Sequence, residues 1–547
     1  MIAVFKCLLV LLISILSILN LKAQSVSSIL VDANTKAPIA YASVVLKNKQ
    51  GVISNEEGSF TLQLEGLIKA TDSLFISCMG YENVRFSLSE VRDSIFIQGR
   101  EIILNEVIVS NKNFTAEEIV EKVKAAMTKN HPQLLSDKKM FFRTSETQNI
   151  NKMDVDFKKS SIEELNKKLV DSVMGQIPKK GFFYTEILAN ITGDYSPKNQ
   201  KINIIKASKL YDKNNSVNIE GLEKKFNKIL QENIKKDSYL KIKSGWISGK
   251  VTPDNLFTEK KEIDSSNTAA LDSLATAKKK SELEEKTNFA NYRKRRVGSL
   301  FGRLFFNKDS PFDFFFKDGR YKISLEDFTY MGNIPVYKLR FLSKGRSDYN
   351  AVIYINADDF AVVRMDFKNA GPLKKMNLLG FSYLEYLNEG KAFFVKTEGL
   401  GYTLSYLEEN SAEKVGIKRP LKIVEKNKFA KGRRKQNELL VEIEFEINSQ
   451  NKNELVVFSQ SPITPEDFKK LKENNQILPT YLPVYDPAFW EGYNIIEPNK
   501  AIKNFSAIGY ENLVPNKAEN SKTDIKINKE KSPSLKQKKG KKRSLKS

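Results

Sequence analysis

Histidine and cysteine are almost missing from this chain of 547 residues, which holds His131 alone and two cysteines, Cys7 and Cys78. A zinc site built on two or three histidines is therefore excluded. With Cys7 in a leader, Cys78 has no partner for a disulfide within the chain. Cys78 follows an alternating apolar stretch with nothing electropositive beside it, the setting of a small packed residue and not of a reactive thiol. A Ser-His-Asp triad would have to run through His131, which lies in Asn130-His131-Pro132, a helix-ending sequence expected to face solvent. No Walker loop and no dinucleotide glycine fingerprint is present. Adjacent acids such as Asp358 and Asp359, or Glu408 and Glu409, point to opposite faces of a strand and make no glycosidase pair by spacing alone. The chain is expected to be no enzyme and to need no cofactor or metal.

Long apolar runs are also scarce. Residues 1–23 have one positive residue, Lys6, an apolar run from Cys7 to Leu21, and the small Ala23 before Gln24. That run is short of the roughly 20 residues a membrane span needs and fits a secretory leader. Cys7 precedes the run with Lys6 on its flank, which is the wrong side for lipid attachment. Residues 1–23 are read as a signal peptide, and the mature chain as exported, with no transmembrane span.

What is present begins with β-structure. From Ser28 to Val109, short stretches rich in β-branched residues alternate with turn clusters. Ile29-Leu30-Val31, Ala42 to Lys47, Phe60 to Leu64, Leu74 to Met79, Ser94 to Ile97 and Ile103 to Val109 read as strands, with Gly58 supplying a positive φ before Phe60. Such spacing argues for a small sandwich. Val31-Asp32, Pro38 to Val44, Gly51 to Asn55, Gly58-Ser59-Phe60, Gly80-Tyr81 and Leu104 to Val109 resemble, in order, the carboxypeptidase regulatory-like domain, in the version found in envelope proteins of Bacteroidota. The resemblance implies a transthyretin-like sandwich over 24–112 that serves as spacer or interaction module, without peptidase activity. Ser28 departs from the usual glycine, at what is expected to be an edge of the sandwich.

A mixed helix and strand region follows over 113–257. Thr115 and Glu118 have capping-box spacing ahead of the stripe Ile119, Val120, Val123 and Met127. Ser161 and Glu164 suggest a second helix over 161–174, and Leu222 to Ile234 a third. A helix after such a sandwich also resembles a larger envelope family that continues into an outer-membrane barrel. Too few amphipathic strands follow here for one. Residues 258–299 begin with a run of Lys, Glu, Asp, Ser, Thr and Ala that suits a charged linker or an exposed helix.

Arg293, Arg295 and Arg296 then precede Phe301, Phe305, Phe306 and Phe314 to Phe316. A basic cluster beside phenylalanines suits either an anchor on an anionic membrane or an approach to the next core. Residues 300–460 carry repeated strand patterns that predict a large curved antiparallel sheet. Its hairpin Ile353 to Arg364, with Asn356 where aspartate is usual, is similar to one in the half-barrel fold of lipoprotein carriers; that similarity implies an apolar face able to accept an acyl chain. Residues 461–516 hold a helix opened by Thr464-Pro465 and an aromatic segment in which Trp490 and Tyr493 either dock on the sheet or stack on a sugar.

The net charge is +23. Residues 517–547 hold twelve Lys or Arg against three Asp or Glu, so 12 − 3 places +9 in a tail too polar to fold alone. The tail suits an anionic surface or remains a solvated terminus. The expected class is mainly β with helical segments: a transthyretin-like sandwich, a mixed α/β region and a large curved antiparallel sheet. The expected function is a non-catalytic envelope protein, periplasmic or outer-membrane-associated, that binds an envelope protein, lipid or glycan and no nucleic acid. Glycan binding, or a carboxylate-dependent hydrolase, stands as the alternative.

Overall fold

The computed structural model describes residues 25–100, 114–213, 228–252 and 268–507, apart from positions 47–49, 65, 67, 230, 236, 246, 346, 347, 430 and 433. The leader, the strand expected over 103–109, most of the helix expected over 222–234, and the basic tail 517–547 lie outside the described residues.

Alternation of apolar and polar residues builds the sandwich. Its strands are β1 (Ser25–Asp32), β2 (Ser43–Leu46), β3 (Gln50–Ile53), β4 (Ser59–Gln63), β5 (Ser73–Ser77), β6 (Val84–Ser87) and β7 (Ser94–Ile97). They form two sheets, β4-β1-β7 and β3-β2-β5-β6, whose facing side chains include buried Leu30, Val44, Phe60, Leu62 and Ile76. On β4, Phe60 and Leu62 are buried while Ser59, Thr61 and Gln63 are half-exposed, as a period of two requires. Gly58 has φ 73°, and a Cβ there would stand 2.4 Å from the Leu30 carbonyl oxygen, so no other residue fits without displacement. Ser28 is not at an edge. β1 runs between β4, antiparallel, and β7, parallel, and the buried Ser28 hydroxyl donates to the Arg92 carbonyl at 2.7 Å.

The large sheet is assembled from both sides of the charged run. Its first strands are β8 (Ser136–Ser160), β9 (Lys180–Gly193), β10 (Gln200–Leu210), β11 (Ser238–Ser244) and β12 (Ile247–Val251). The remainder are β13 (Tyr321–Met331), β14 (Ile334–Ser343), β15 (Tyr349–Asn356), β16 (Val362–Asn369), β17 (Lys374–Leu378), β18 (Phe381–Thr397), β19 (Gly401–Asn427), β20 (Lys435–Pro462) and β21 (Thr480–Leu482). The order is β13-β14-β15-β16-β18-β19-β20-β8-β9-β10-β21, with β11 beside β19 and β17 beside β18. β8 thus lies antiparallel along β20, from Ser136↔Pro462 to Ser160↔Leu439. Strands from 113–257 and from 300–460 therefore belong to a single 14-stranded sheet.

Two of the helices contribute buried residues to the main core of the sheet. Helix α1 (Ala116–Asn130) starts at the expected capping box, with Thr115 and Glu118 bonded reciprocally. Helix α2 (Lys167–Gln176) starts later than its sequence suggested and is capped by Asn166. The Ser161 hydroxyl is taken instead by the β20 backbone, accepting from Glu438 N at 2.7 Å. Helix α3 (Thr268–Gly302) occupies most of the charged run, so the helical alternative is realised there. Gly298 lets α3 approach Pro197, whose carbonyl oxygen would stand 2.4 Å from a Cβ at that position. Helix α4 (Pro465–Lys470) has Thr464 as its cap, as read.

The phenylalanines at and after the end of α3 are core, except the exposed Phe316. Phe301, Phe305, Phe314 and Phe315 are buried between α1 and the sheet, in one cluster with Met140, Ile187 and Leu339. The face expected to accept an acyl chain is thus occupied by the chain's own rings. His131 is also inside. As the C-cap of α1 it stacks 5.6 Å from Phe306 and meets Phe305 edge-on at 5.0 Å, which overturns its solvent-facing assignment. The polar sequence Asn130-His131-Pro132 ends a helix at the top of the phenylalanine layer, where packing decides its exposure.

Candidate functional site

Two contacts fasten the sandwich to the large sheet. At one, Met79 bridges Met331, and Arg100 donates to the Gly332 carbonyl at 3.0 Å while stacking on Tyr330. At the other, Tyr41 donates to Glu408 and Glu56 pairs with Lys452 at 2.7 Å. The C-terminal segment ties in here as well: Asn55 donates to the carbonyls of Glu497 and Pro498, and Asn499 donates to Glu56.

A cleft of about 490 Å³ opens between these contacts. Val45 and Ile53 line it from the outer face of β2 and β3, and Phe393, Val395 and Phe458 from the large sheet. The alternation that sends Val44 and Val52 into the sandwich core turns Val45 and Ile53 outward. Tyr41, Lys396 and Tyr402 also line the cleft, and its most enclosed charged group is Arg364. Two of its nitrogens hold Asp366 at 2.8 and 2.7 Å, while Nη1 faces the Met79 thioether at 3.8 Å. Burial opposes charge on this guanidinium, but Asp366 outweighs it and keeps the group cationic. Burial pushes the Cys78 thiol, on the same wall, up to about 11, so it stays protonated and unreactive.

Beside the cleft, burial would raise the Glu408 carboxyl. Lys452, Lys391 and the hydroxyls of Tyr41 and Tyr406 outweigh that and keep it ionised. Burial and the Glu408 charge raise Tyr41, which therefore remains a donor. The Cys78 thiol and the Ser405 hydroxyl in the cleft bond to the backbone carbonyls of Ala40 and Phe393. Among the described residues, no group of three or more His, Cys, Asp or Glu is placed to hold a metal ion. The volume of the cleft lies in the range of about 300–1,000 Å³ common for ligand pockets.

Residues 29–109 match the family model of the CarboxypepD_reg-like domain. The sandwich is that domain. CarboxypepD_reg-like domains are regulatory and non-catalytic. A crystal structure of a LolA superfamily protein from Nitrosomonas europaea aligns over 65% of this chain and 97% of its own, with 10% identity and a TM-score of 0.15. No curated protein matches. No described helix is long and apolar enough to cross a membrane.

None of the binding candidates read from sequence lines this cleft. Trp490 is 2% exposed, packs edge-on against Phe141 and donates to Glu186 at 2.8 Å, so it docks the C-terminal segment and offers no face to a sugar. Tyr493 is half-buried with the Lys206 ammonium 4.9 Å from its ring centre. Arg293 is buried on α3, where desolvation lowers it to about 10, and it stacks on Phe289 and Tyr292. Arg295 is exposed. Arg296 reaches Asn453 at 3.5 Å in a separate polar hollow that Arg303 and Glu409 also line. Helical geometry separates Arg295 from Arg293, since residues two apart do not face each other, and the three arginines differ in burial, with Arg293 buried, Arg296 half-buried and Arg295 exposed. Tyr41 and Arg364 were missed, and Glu408 was weighed only as half of an adjacent acid pair, because Tyr41 meets Glu408 and Arg364 only when the domain docks. A signal was present in Tyr41, a bulky residue inside a turn sequence.

Proposed function

We propose that the protein is a non-catalytic binding protein of the cell envelope. In this reading the CarboxypepD_reg-like domain and the large sheet together hold an apolar or lipid-derived ligand in the cleft between them. The carrying observation is the composition of that cleft: aliphatic and phenyl walls with the guanidinium of Arg364 on one side, suited to an apolar chain with an acidic head. The phenylalanine plug of the sheet supports this place for the ligand over the sheet's own face. The leader sequence supports export to the periplasm or outer membrane, and the domain's regulatory class supports a role without chemistry. Burial of Trp490 removes the residue on which sugar binding rested.

Native mass spectrometry of the protein purified from an envelope fraction tests the reading. The wild type is expected to carry an extra mass that organic solvent extracts. Val45→Trp, which fills the cleft from an outward-facing strand position, is expected to carry none. A wild type that holds no extractable species and takes up no fluorescent fatty acid would refute the proposal.

A further inference from the structure

Four non-glycine residues among those described have positive φ: Lys36, Tyr41, Phe360 and Leu379. Three of them have an internal reason. Lys36 closes a polar turn by bonding the Ala33 carbonyl, Tyr41 reaches Glu408, and Phe360 packs on Phe114 and Tyr337. Leu379 is 57% exposed. It shares with Gly380 the two central positions of the β17–β18 hairpin, at φ 51° and 78°, the signs of a type I′ turn. That turn favours Asn-Gly or Asp-Gly, because a bulky side chain is strained at positive φ. A leucine held there, pointing to water, gains nothing inside the fold.

Its surroundings are apolar too. Leu378 is 60% exposed, Met376 50% and Phe381 39%. Cross-strand pairing puts them on one face, through the rungs Leu378↔Phe381↔Ile417↔Phe445 and Met376↔Tyr383↔Val415↔Ile447. A second hairpin tip adjoins this one. The Arg419 guanidinium donates to the carbonyls of both Leu379 and Ser244, lies 5.0 Å from the Phe381 ring centre, and so ties the β17–β18 turn to the β11–β12 turn, whose Ile247 is also exposed. From the buried Glu409 to Lys418 beside the tip, β19 extends roughly 30 Å. Lysine is in excess around the tips, although Glu385 pairs with Lys374 at 3.7 Å and Glu444 with Lys418 at 2.7 Å on the adjoining strands. β17 carries Lys374 and Lys375, and β11 and β12 carry Lys241, Lys243 and Lys250, with no Asp or Glu on these three strands.

We infer that this paired tip, Met376 to Phe381 with Ile247, docks onto an anionic lipid bilayer, with Leu378, Leu379 and Phe381 entering the acyl boundary and the lysines meeting phosphate headgroups. The inference does not depend on what the cleft holds. A second copy pairing along the open edge of β17 is the competing occupant, and Lys374 and Lys375 oppose it because two such edges would bring like charges together.

Sedimentation of the full chain with vesicles of phosphatidylcholine alone, or mixed with phosphatidylglycerol, tests the inference alongside Leu379→Asn. Asparagine tolerates the turn, so the variant is expected to fold with undiminished stability, and its net charge is unchanged, so any attraction by the basic C-terminal sequence is the same in both proteins. Wild type is expected to bind the phosphatidylglycerol vesicles, and the variant about tenfold more weakly. Equal binding by both, or no preference for the anionic vesicles, would overturn the inference. So would a concentration-dependent dimer, seen by sedimentation velocity, that Leu379→Asn dissolves.

Discussion

Tyr41 donates its hydroxyl hydrogen to Glu408 Oε2 at 2.9 Å, joining two residues 367 positions apart in the chain. Tyr41 is held at φ 61°, and the Lys391 ammonium lies 3.9 Å from its ring centre. The sandwich therefore meets the sheet through a residue whose backbone is strained to place it. Tyr41→Phe keeps the ring and removes the donor. It is expected to lower stability by about 1.5–3 kcal/mol, the usual worth of a hydrogen bond to a charged group, read from urea unfolding. An unchanged midpoint would mean that Lys452 and Tyr406 hold Glu408 without it.

Arg143 and Glu186 are directly paired on β8 and β9 and fully buried, at 2.7 Å. Glu186 also accepts from Ser208 and Trp490, while Arg143 donates to the Ile496 carbonyl at 2.7 Å. The C-terminal segment is thus fixed by a buried ionic cluster. Glu186→Gln removes the direct partner of a buried guanidinium, leaving only Glu454 at 3.8 Å to offset its charge, and is expected to cost about 3 kcal/mol in chemical denaturation. A red shift of tryptophan emission should accompany it. A loss below about 1 kcal/mol would show that packing around Trp490 suffices.

Burial lowers His131 from 6.5 to about 4. Its Nδ1 lies 3.1 Å from the Tyr402 carbonyl oxygen, which can only accept, so Nδ1 carries the hydrogen and Nε2 is left without a partner. As pH falls from about 6.5 towards 4 the unfolded chain takes up a proton that the folded one refuses, and stability declines by up to roughly 3 kcal/mol. His131→Gln should flatten this part of a stability profile measured by guanidinium unfolding at successive pH values. A slope retained by the variant would assign it to other groups.

Lys138 is buried over the Tyr195 ring and donates to the Gly193 carbonyl at 2.7 Å. Desolvation lowers it from 10.5 to about 7, against the opposing charges of Asp194 and Asp137. Above about pH 7 the folded chain releases this proton while the unfolded chain keeps it, so this residue's contribution rises with pH up to its unfolded value. Lys138→Met removes that rise. The difference in stability between the two proteins should change in favour of wild type between pH 7 and 9, and a constant difference would place the amine outside the titration.

Local patterns are legible where neighbouring residues settle the outcome. The alternation of Phe60 and Leu62, the positive φ of Gly58, the capping box at Thr115 and the Thr464 cap all follow from interactions within a few residues, and each is realised. The phenylalanines from 301 to 315 are core because so much apolar area has few other places to go. Ser161 shows the limit: its capping sequence is sound, yet a strand nearly 280 residues later takes the hydroxyl first.

By itself the sequence determined a mainly β protein with a CarboxypepD_reg-like sandwich, poor in the side chains of metal and thiol chemistry, because composition and short-range periodicity are properties of the chain before it folds. Only the tertiary structure decided that β8 lies along β20, that Trp490 and His131 are enclosed, that the cleft gathers Val45, Phe393 and Arg364, and that Leu379 stands at an exposed tip. Those depend on pairings between residues hundreds of positions apart. Their energy comes from burying one surface against another, which no single stretch of the chain contains.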